Sequence, residues 1–138
     1  MSASTADTPA ADAASVVAEF LAAYLSGDLD RARSLVSDDF AFQAPLVEQH
    51  ATKEEFFGGS EQKVALVRDH RIVRSWADGE EVSTVYEIDV RTEEGAASMR
   101  IHEWHTVRDA RLVSTVMTFD TAAPAALLMH RALMSPHA

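Results

Sequence analysis

The chain has 138 residues, 47% of them apolar and 25% charged, and its 12 Lys and Arg against 22 Asp and Glu leave a net charge of −10 with His neutral. That length and balance fit one soluble globular domain with one core. The acid surplus argues against partners held by charge, whether nucleic acid or an anionic membrane surface. With no Cys, disulfide scaffolds, thiolate metal sites and cysteine nucleophiles are excluded. No stretch reaches the roughly 20 apolar residues of a membrane span, and the first residues lack the basic and apolar parts of a signal peptide. The expected location is cytoplasmic.

Residues 1–12 carry nothing large to bury and read as a disordered leader. From there Val17, Phe20, Leu21 and Tyr24 mark an amphipathic helix, with Asp12 as its cap and Gly27 as its end. Asp28 caps a second, short helix that turns Leu29, Ala32, Leu35 and Val36 inward. Phe40 to Ala44, ahead of Pro45, alternates like a strand. Thr52 with Glu55 three residues on has the capping-box form and opens a helix bearing Phe56 and Phe57, interrupted at Gly58-Gly59 and resumed through Val64, Leu66 and Val67.

After His70 the apolar period falls towards two. Strands are expected over 70–77, 81–91, 97–107 and 111–121, joined by short turns at Asp78-Gly79, Glu93-Glu94-Gly95 and Asp109-Ala110. Links this short favour an antiparallel meander. Pro124 stands at a first helical position before Leu127, Leu128, Arg131 and Met134. The class is therefore α+β: a curved antiparallel sheet whose concave face three N-terminal helices close into a cone-shaped pocket, with a short C-terminal helix. The organisation is leader 1–12, domain 13–122, and C-terminal helix and tail 123–138.

The segment from Phe20 to Phe40, with Gly27-Asp28 at its centre, resembles the opening of the SnoaL-like, nuclear transport factor 2-like superfamily. The segment from Glu103 to Asp120 resembles its closing hairpin, except for Ala110 where most relatives have Gly. The resemblance implies the cone fold, a homodimer through the convex sheet face, and a small organic ligand. It leaves the activity open, since the superfamily holds isomerases, cyclases, epoxide hydrolases, dehydratases and non-catalytic modules. A ketosteroid isomerase pattern would want Tyr where Phe20 stands, Asp where Ala44 stands, and a protonated carboxyl at Glu103. A polyketide cyclase pattern would place Asp at Met117 and His at Glu103. A limonene epoxide hydrolase pattern meets Glu87 to Asp89 in its first acidic region and Met117 in place of its last Asp. None carries over whole.

On strand 97–107, Met99, Ile101, Glu103, His105 and Val107 share one face, which the resemblance turns inward. A carboxyl desolvated on an apolar wall serves as a proton donor or a base near neutrality. His105, roughly 7 Å further along that face, completes an acid/base couple or merely satisfies Glu103. For strand 81–91 two registers compete. Plain amphipathicity turns Val82, Thr84, Tyr86, Ile88 and Val90 inward, whereas the favoured register, by resemblance, turns Glu87 and Asp89 inward to pair with Glu103. A one-residue bulge between Glu93 and Ala96 would decide.

The expected catalytic set is thus Glu103, Asp89 and His105, and the ligand wall Phe20, Tyr24, Phe42, Glu87, Ile101, Met117 and Phe119. His102 and His105 lie three apart on a strand and face opposite ways, so no metal is expected, nor any cofactor. The leading reading is a cofactor-independent isomerase, cyclase or dehydratase for an apolar polyketide-, terpenoid- or steroid-like molecule. A non-catalytic ligand-binding or dimerisation module is the alternative, and an epoxide-opening hydrolase a weaker one.

Overall fold

A computed structural model describes residues 2–45 and 50–134, with the side chains of the first helix described from Ala13 onward. Helix α1 spans Ser2–Leu25, so it begins ahead of Asp12; the side chains of the expected leader lie outside the described residues. Val17, Phe20, Leu21 and Tyr24 are buried, as their spacing requires. Gly27, at φ +90°, turns the chain so that its amide and that of Asp28 reach back to Tyr24 O at 3.1 Å and Ala23 O at 2.9 Å. The Asp28 carboxylate then accepts from Arg31 N at 3.3 Å and starts α2 (Leu29–Ser34). Strand β1 (Val36–Gln43) begins four residues earlier than expected and buries Val36, Phe40 and Phe42.

The Thr52 hydroxyl accepts from Glu55 N and the Glu55 carboxylate from Thr52 N, closing the capping box of α3 (Lys53–Phe57). Gly59 takes φ +82°, which separates α3 from α4 (Ser60–Val64). The meander follows as β2 (Val67–Asp78), β3 (Glu81–Thr92), β4 (Gly95–Arg108) and β5 (Arg111–Thr118), and Pro124 opens α5 (Pro124–Leu133). Strand order is β1-β5-β4-β3-β2, antiparallel except for β1, which joins the edge of β5 in parallel. Register shifts between Val67 and Asp69, Ile72 and Arg74, and Thr106 and Val107 accompany the curl of the sheet around the helices.

The β3–β4 turn corrects the favoured register. Thr92 pairs with Gly95 across a two-residue turn, and the pairing runs without a bulge to Glu81 and Thr106. Each even residue of β3 therefore faces the same way as an odd residue of β4: Thr84 beside Glu103, Tyr86 beside Ile101, Ile88 beside Met99. Val82, Thr84, Tyr86, Ile88 and Val90 are buried, and Glu87 and Asp89 point to the opposite face. The convex face accordingly lacks Tyr86 and Ile88, and its large apolar groups are Trp76 and Trp104, both half-exposed.

Candidate active site

Between the concave sheet face and the helices lies a cavity of about 550 Å³. Helix α1 contributes Phe20 and Tyr24, β1 contributes Phe42, and α3 contributes Phe56. These rings pack into one cluster, with Phe20 stacked on Tyr24 at 5.6 Å and Phe42 tilted against Phe56 at 4.6 Å between centroids. The sheet supplies Tyr86, Ile88, Met99, Ile101, Glu103, Thr115 and Met117, with Phe119 just past β5, and α5 closes the space with Met129, His130 and Leu133. The wall is apolar but for a few groups, the usual build of a small-molecule site.

Those few groups converge on Glu103, which is 3% exposed. The Tyr86 hydroxyl donates to Glu103 Oε2 at 2.6 Å. Glu103 Oε1 lies 3.2 Å from His105 Nε2, within ion-pair range, yet neither atom has a hydrogen bond of proper alignment. His105 is fully buried behind Glu103, outside the cavity wall, and its Nδ1 is 2.8 Å from Thr115 Oγ1. Side chains two apart on β4 thus lean together far more closely than their Cα spacing suggests. The result is a chain from Thr115 through His105 and Glu103 to Tyr86, sealed from water apart from its contact with the cavity.

A second polar group stands across the cavity. Ser60 Oγ spends its one proton on Phe56 O at 3.0 Å, so the Tyr24 hydroxyl, 2.8 Å away, is the donor to Ser60. Desolvation pushes the Tyr24 phenol up to about 12, against the Ser60 hydrogen bond, with a further push from Glu103. Tyr86 is driven well above 10, first by burial and then by Glu103. Both phenols therefore stay neutral and act as donors at any ordinary pH. Lys63, on α4, also lines the cavity, where desolvation lowers its ammonium pKa and Glu103 opposes that shift.

Of the residues expected from sequence, Phe20, Tyr24, Phe42, Ile101, Glu103, Met117 and Phe119 line the cavity, with His105 directly behind. Glu87 and Asp89 do not belong to it, because the bulge-free β3–β4 pairing puts them on the convex face. There Glu87 sits between Arg100 at 2.7 Å and Arg71 at 3.0 Å, and these hydrogen bonds hold its carboxyl below the usual range. Asp89 is lowered likewise by Ser98 at 2.6 Å and by Arg71. His102 is on that face too, 2.6 Å from Ser83 Oγ, so the two histidines look in opposite directions. Asp120 accepts from Ala122 N at 2.9 Å in the turn after β5. Tyr86, Thr115 and Lys63 were missed: the first followed the wrong register, and the others carry no motif.

A curled, mostly antiparallel sheet, helices closing its concavity, and a buried carboxyl in an apolar cavity define a cone-shaped α+β domain of the ketosteroid isomerase-like, NTF2-like kind. The chain belongs to the SnoaL-like domain family, whose model matches residues 17–115. Among solved structures it is similar to an epoxide hydrolase of the LEH-like type from M. tuberculosis, at 19% identity, TM-score 0.71 and 91% coverage of each chain. It is also similar to AclR, a putative hydroxylase from Streptomyces galilaeus, at 13% identity and TM-score 0.72, covering 88% of this chain and 98% of that one. A ketosteroid isomerase-like protein from Catenulispora acidiphila, in complex with trimethylamine, aligns at 12% identity and TM-score 0.68 over 83% of this chain and 92% of that one. At such identities these likenesses establish the fold. No curated protein sequence matches the chain.

Proposed function

We propose that the chain is an acid/base enzyme of the isomerase, cyclase or dehydratase kind, working without a cofactor on a small, largely apolar molecule of polyketide, terpenoid or steroid type. The observation that carries this reading is Glu103: a carboxyl on the wall of an apolar cavity, with one oxygen fixed by Tyr86 and the other lacking an aligned hydrogen bond beside His105. Buried charged groups without full satisfaction are costly and concentrate at functional sites. In this reading Glu103 takes a proton from a ligand C–H or O–H and returns it at another atom, with no net redox change. His105 positions Glu103 and balances its charge as the proton comes and goes.

The register of β3 bears on the alternatives. A carboxylate pair at the reacting atom, which an epoxide opening would use, has no second member on the described wall: Glu103 is its one carboxyl. A non-catalytic binding module is favoured instead by the sealed position of His105 and by Ala44 and Met117 at the other acid positions. The test is a ligand screen by thermal shift, followed by Glu103→Gln on any turnover found. The loss expected is 100-fold or more in kcat, of order the 10²–10⁴ typical of one acid/base group, with ligand affinity kept. Asp89→Asn, on the convex face, should leave turnover unchanged. Equal turnover in the wild type and Glu103→Gln would sink the catalytic role.

The homodimer belongs to the same proposal. Trp76, Ser83, Trp104 and Val116 form one row across the convex face of β2 to β5, and the two half-exposed indoles are its apolar anchors. Among the described residues no helix is long and apolar enough to cross a membrane, in keeping with the proposed cytoplasmic location.

A further inference from the structure

We propose that Lys63 selects the charge of the ligand: its ammonium receives the acidic oxygen of an apolar, singly anionic organic molecule held in the cavity. The inference rests on the reading of this cavity as a ligand site. Lys63 is half-buried on α4 and lines the wall, yet among the described residues no carboxylate lies within 4 Å of its ammonium. Arg33, Arg71, Arg100, Arg108 and Arg131 each meet an acidic partner, and Lys53 meets Asp38 at 3.4 Å. Arg68, Arg74, Arg91 and Arg111 meet none among the described residues, but they are exposed to water, whereas Lys63 is half-buried on the cavity wall.

The groups facing Lys63 across the cavity are Glu103 and Tyr86 from the sheet, Tyr24 from α1 and His130 from α5, with Glu61 on its own helix. Glu103 is engaged by Tyr86 and faces His105, and both phenols are neutral donors, so no wall group neutralises the ammonium by contact. The desolvation that lowers its pKa is the same cost seen from the proton's side. An uncharged ligand filling the cavity would strip more water from the ammonium and offer nothing in return. An anionic oxygen replaces that water with a charge-assisted hydrogen bond. One cation on a wall that also carries Glu103, in a chain of net charge −10, suits one negative charge and disfavours two.

The experiment pairs two fluorescent probes of the same aromatic skeleton, anionic 8-anilinonaphthalene-1-sulfonate and uncharged N-phenyl-1-naphthylamine. Each is titrated into the full chain at pH 7 and competed against the other. The wild type should bind the sulfonate about tenfold more tightly or better, the usual worth of a hydrogen bond to a charged group, and the sulfonate should displace the neutral probe. Lys63→Met should lose that preference while holding the neutral probe as before. Lys63→Gln gives the same readout should the Met variant fold poorly. Sulfonate affinity unchanged in the variants, with the neutral probe still bound, would overturn the role of Lys63 and leave the cavity reading intact. Binding of neither probe to folded wild type would overturn both.

Discussion

The Tyr24 phenol offers a quantitative test of the cavity's electrostatics. Its pKa of about 12 in the folded chain compares with about 10 in an unfolded one, so folding holds its proton more tightly. A raised folded-state pKa means stability that is fully present below pH 10 and is lost as pH rises through 12. The two-unit shift is worth about 2.7 kcal/mol in all, of which about 1.4 kcal/mol has gone by pH 11. Tyr24→Phe removes this term together with one hydrogen bond. At pH 7 that bond is worth about 1 kcal/mol, and Ser60 still donates to Phe56 O, so no large orphan penalty follows. The variant should therefore be about 1 kcal/mol less stable than wild type at pH 7, draw level near pH 11 and be the more stable above it.

Urea unfolding at pH 7, 9, 10 and 11 reads the crossing directly. Absorbance near 295 nm gives an independent measure, because Tyr24 and Tyr86 are the two tyrosines of the chain. In the folded wild type neither should ionise near pH 10, whereas in urea both should. A stability gap that stays constant from pH 7 to 11, or a tyrosine titrating near 10 in the folded wild type, would refute the picture of a dry wall beside Glu103.

The β4–β5 turn places Asp109 at φ +54° and Ala110 at φ +62°, a left-handed pair that favours Gly at the second position. Ala there costs roughly 1–2 kcal/mol, partly offset by the roughly 0.5–1 kcal/mol by which Gly frees the unfolded chain. Ala110→Gly should thus stabilise by about 0.5–1 kcal/mol, seen as a rise in Tm, and a fall in Tm would contradict the turn geometry. On the convex face, Trp104→Glu should convert a dimer to monomer in sedimentation velocity with helix content unchanged; a wild type that sediments as a monomer at tens of micromolar would remove the dimer.

Local signals carried most of the fold. Asp28, the Thr52 and Glu55 pair, and Pro124 each act on backbone within a few residues, so capping chemistry located three helix starts without any tertiary knowledge. The strands were legible for the same reason, since alternation and Gly or Asp turns are short-range patterns. The parallel seat of β1 against β5 was not, because Val36 and Leu112 are brought together only once the whole sheet has formed. No sequence-local feature of either strand encodes that pairing.

The site failed at one point for a physical reason that was itself within reach. Both faces of β3 carry groups that a pocket could use, Tyr86 and Thr84 on one side, Glu87 and Asp89 on the other. The sequence Thr92-Glu93-Glu94-Gly95 is the right length for a two-residue turn, and such a turn pairs even residues with odd ones. Once Met99, Ile101 and Glu103 are taken as inward, that parity alone turns Tyr86 inward and sends Glu87 and Asp89 out to Arg71 and Arg100. The chemistry changes with it. In place of two carboxylates sharing a proton, Glu103 meets a phenol that donates to it and an imidazole 3.2 Å from its other oxygen. Of the acids that make this chain so negative, the described cavity wall keeps one. In the proposed reading the proton passes through Glu103, with Tyr86 and His105 in place of a second acid beside it.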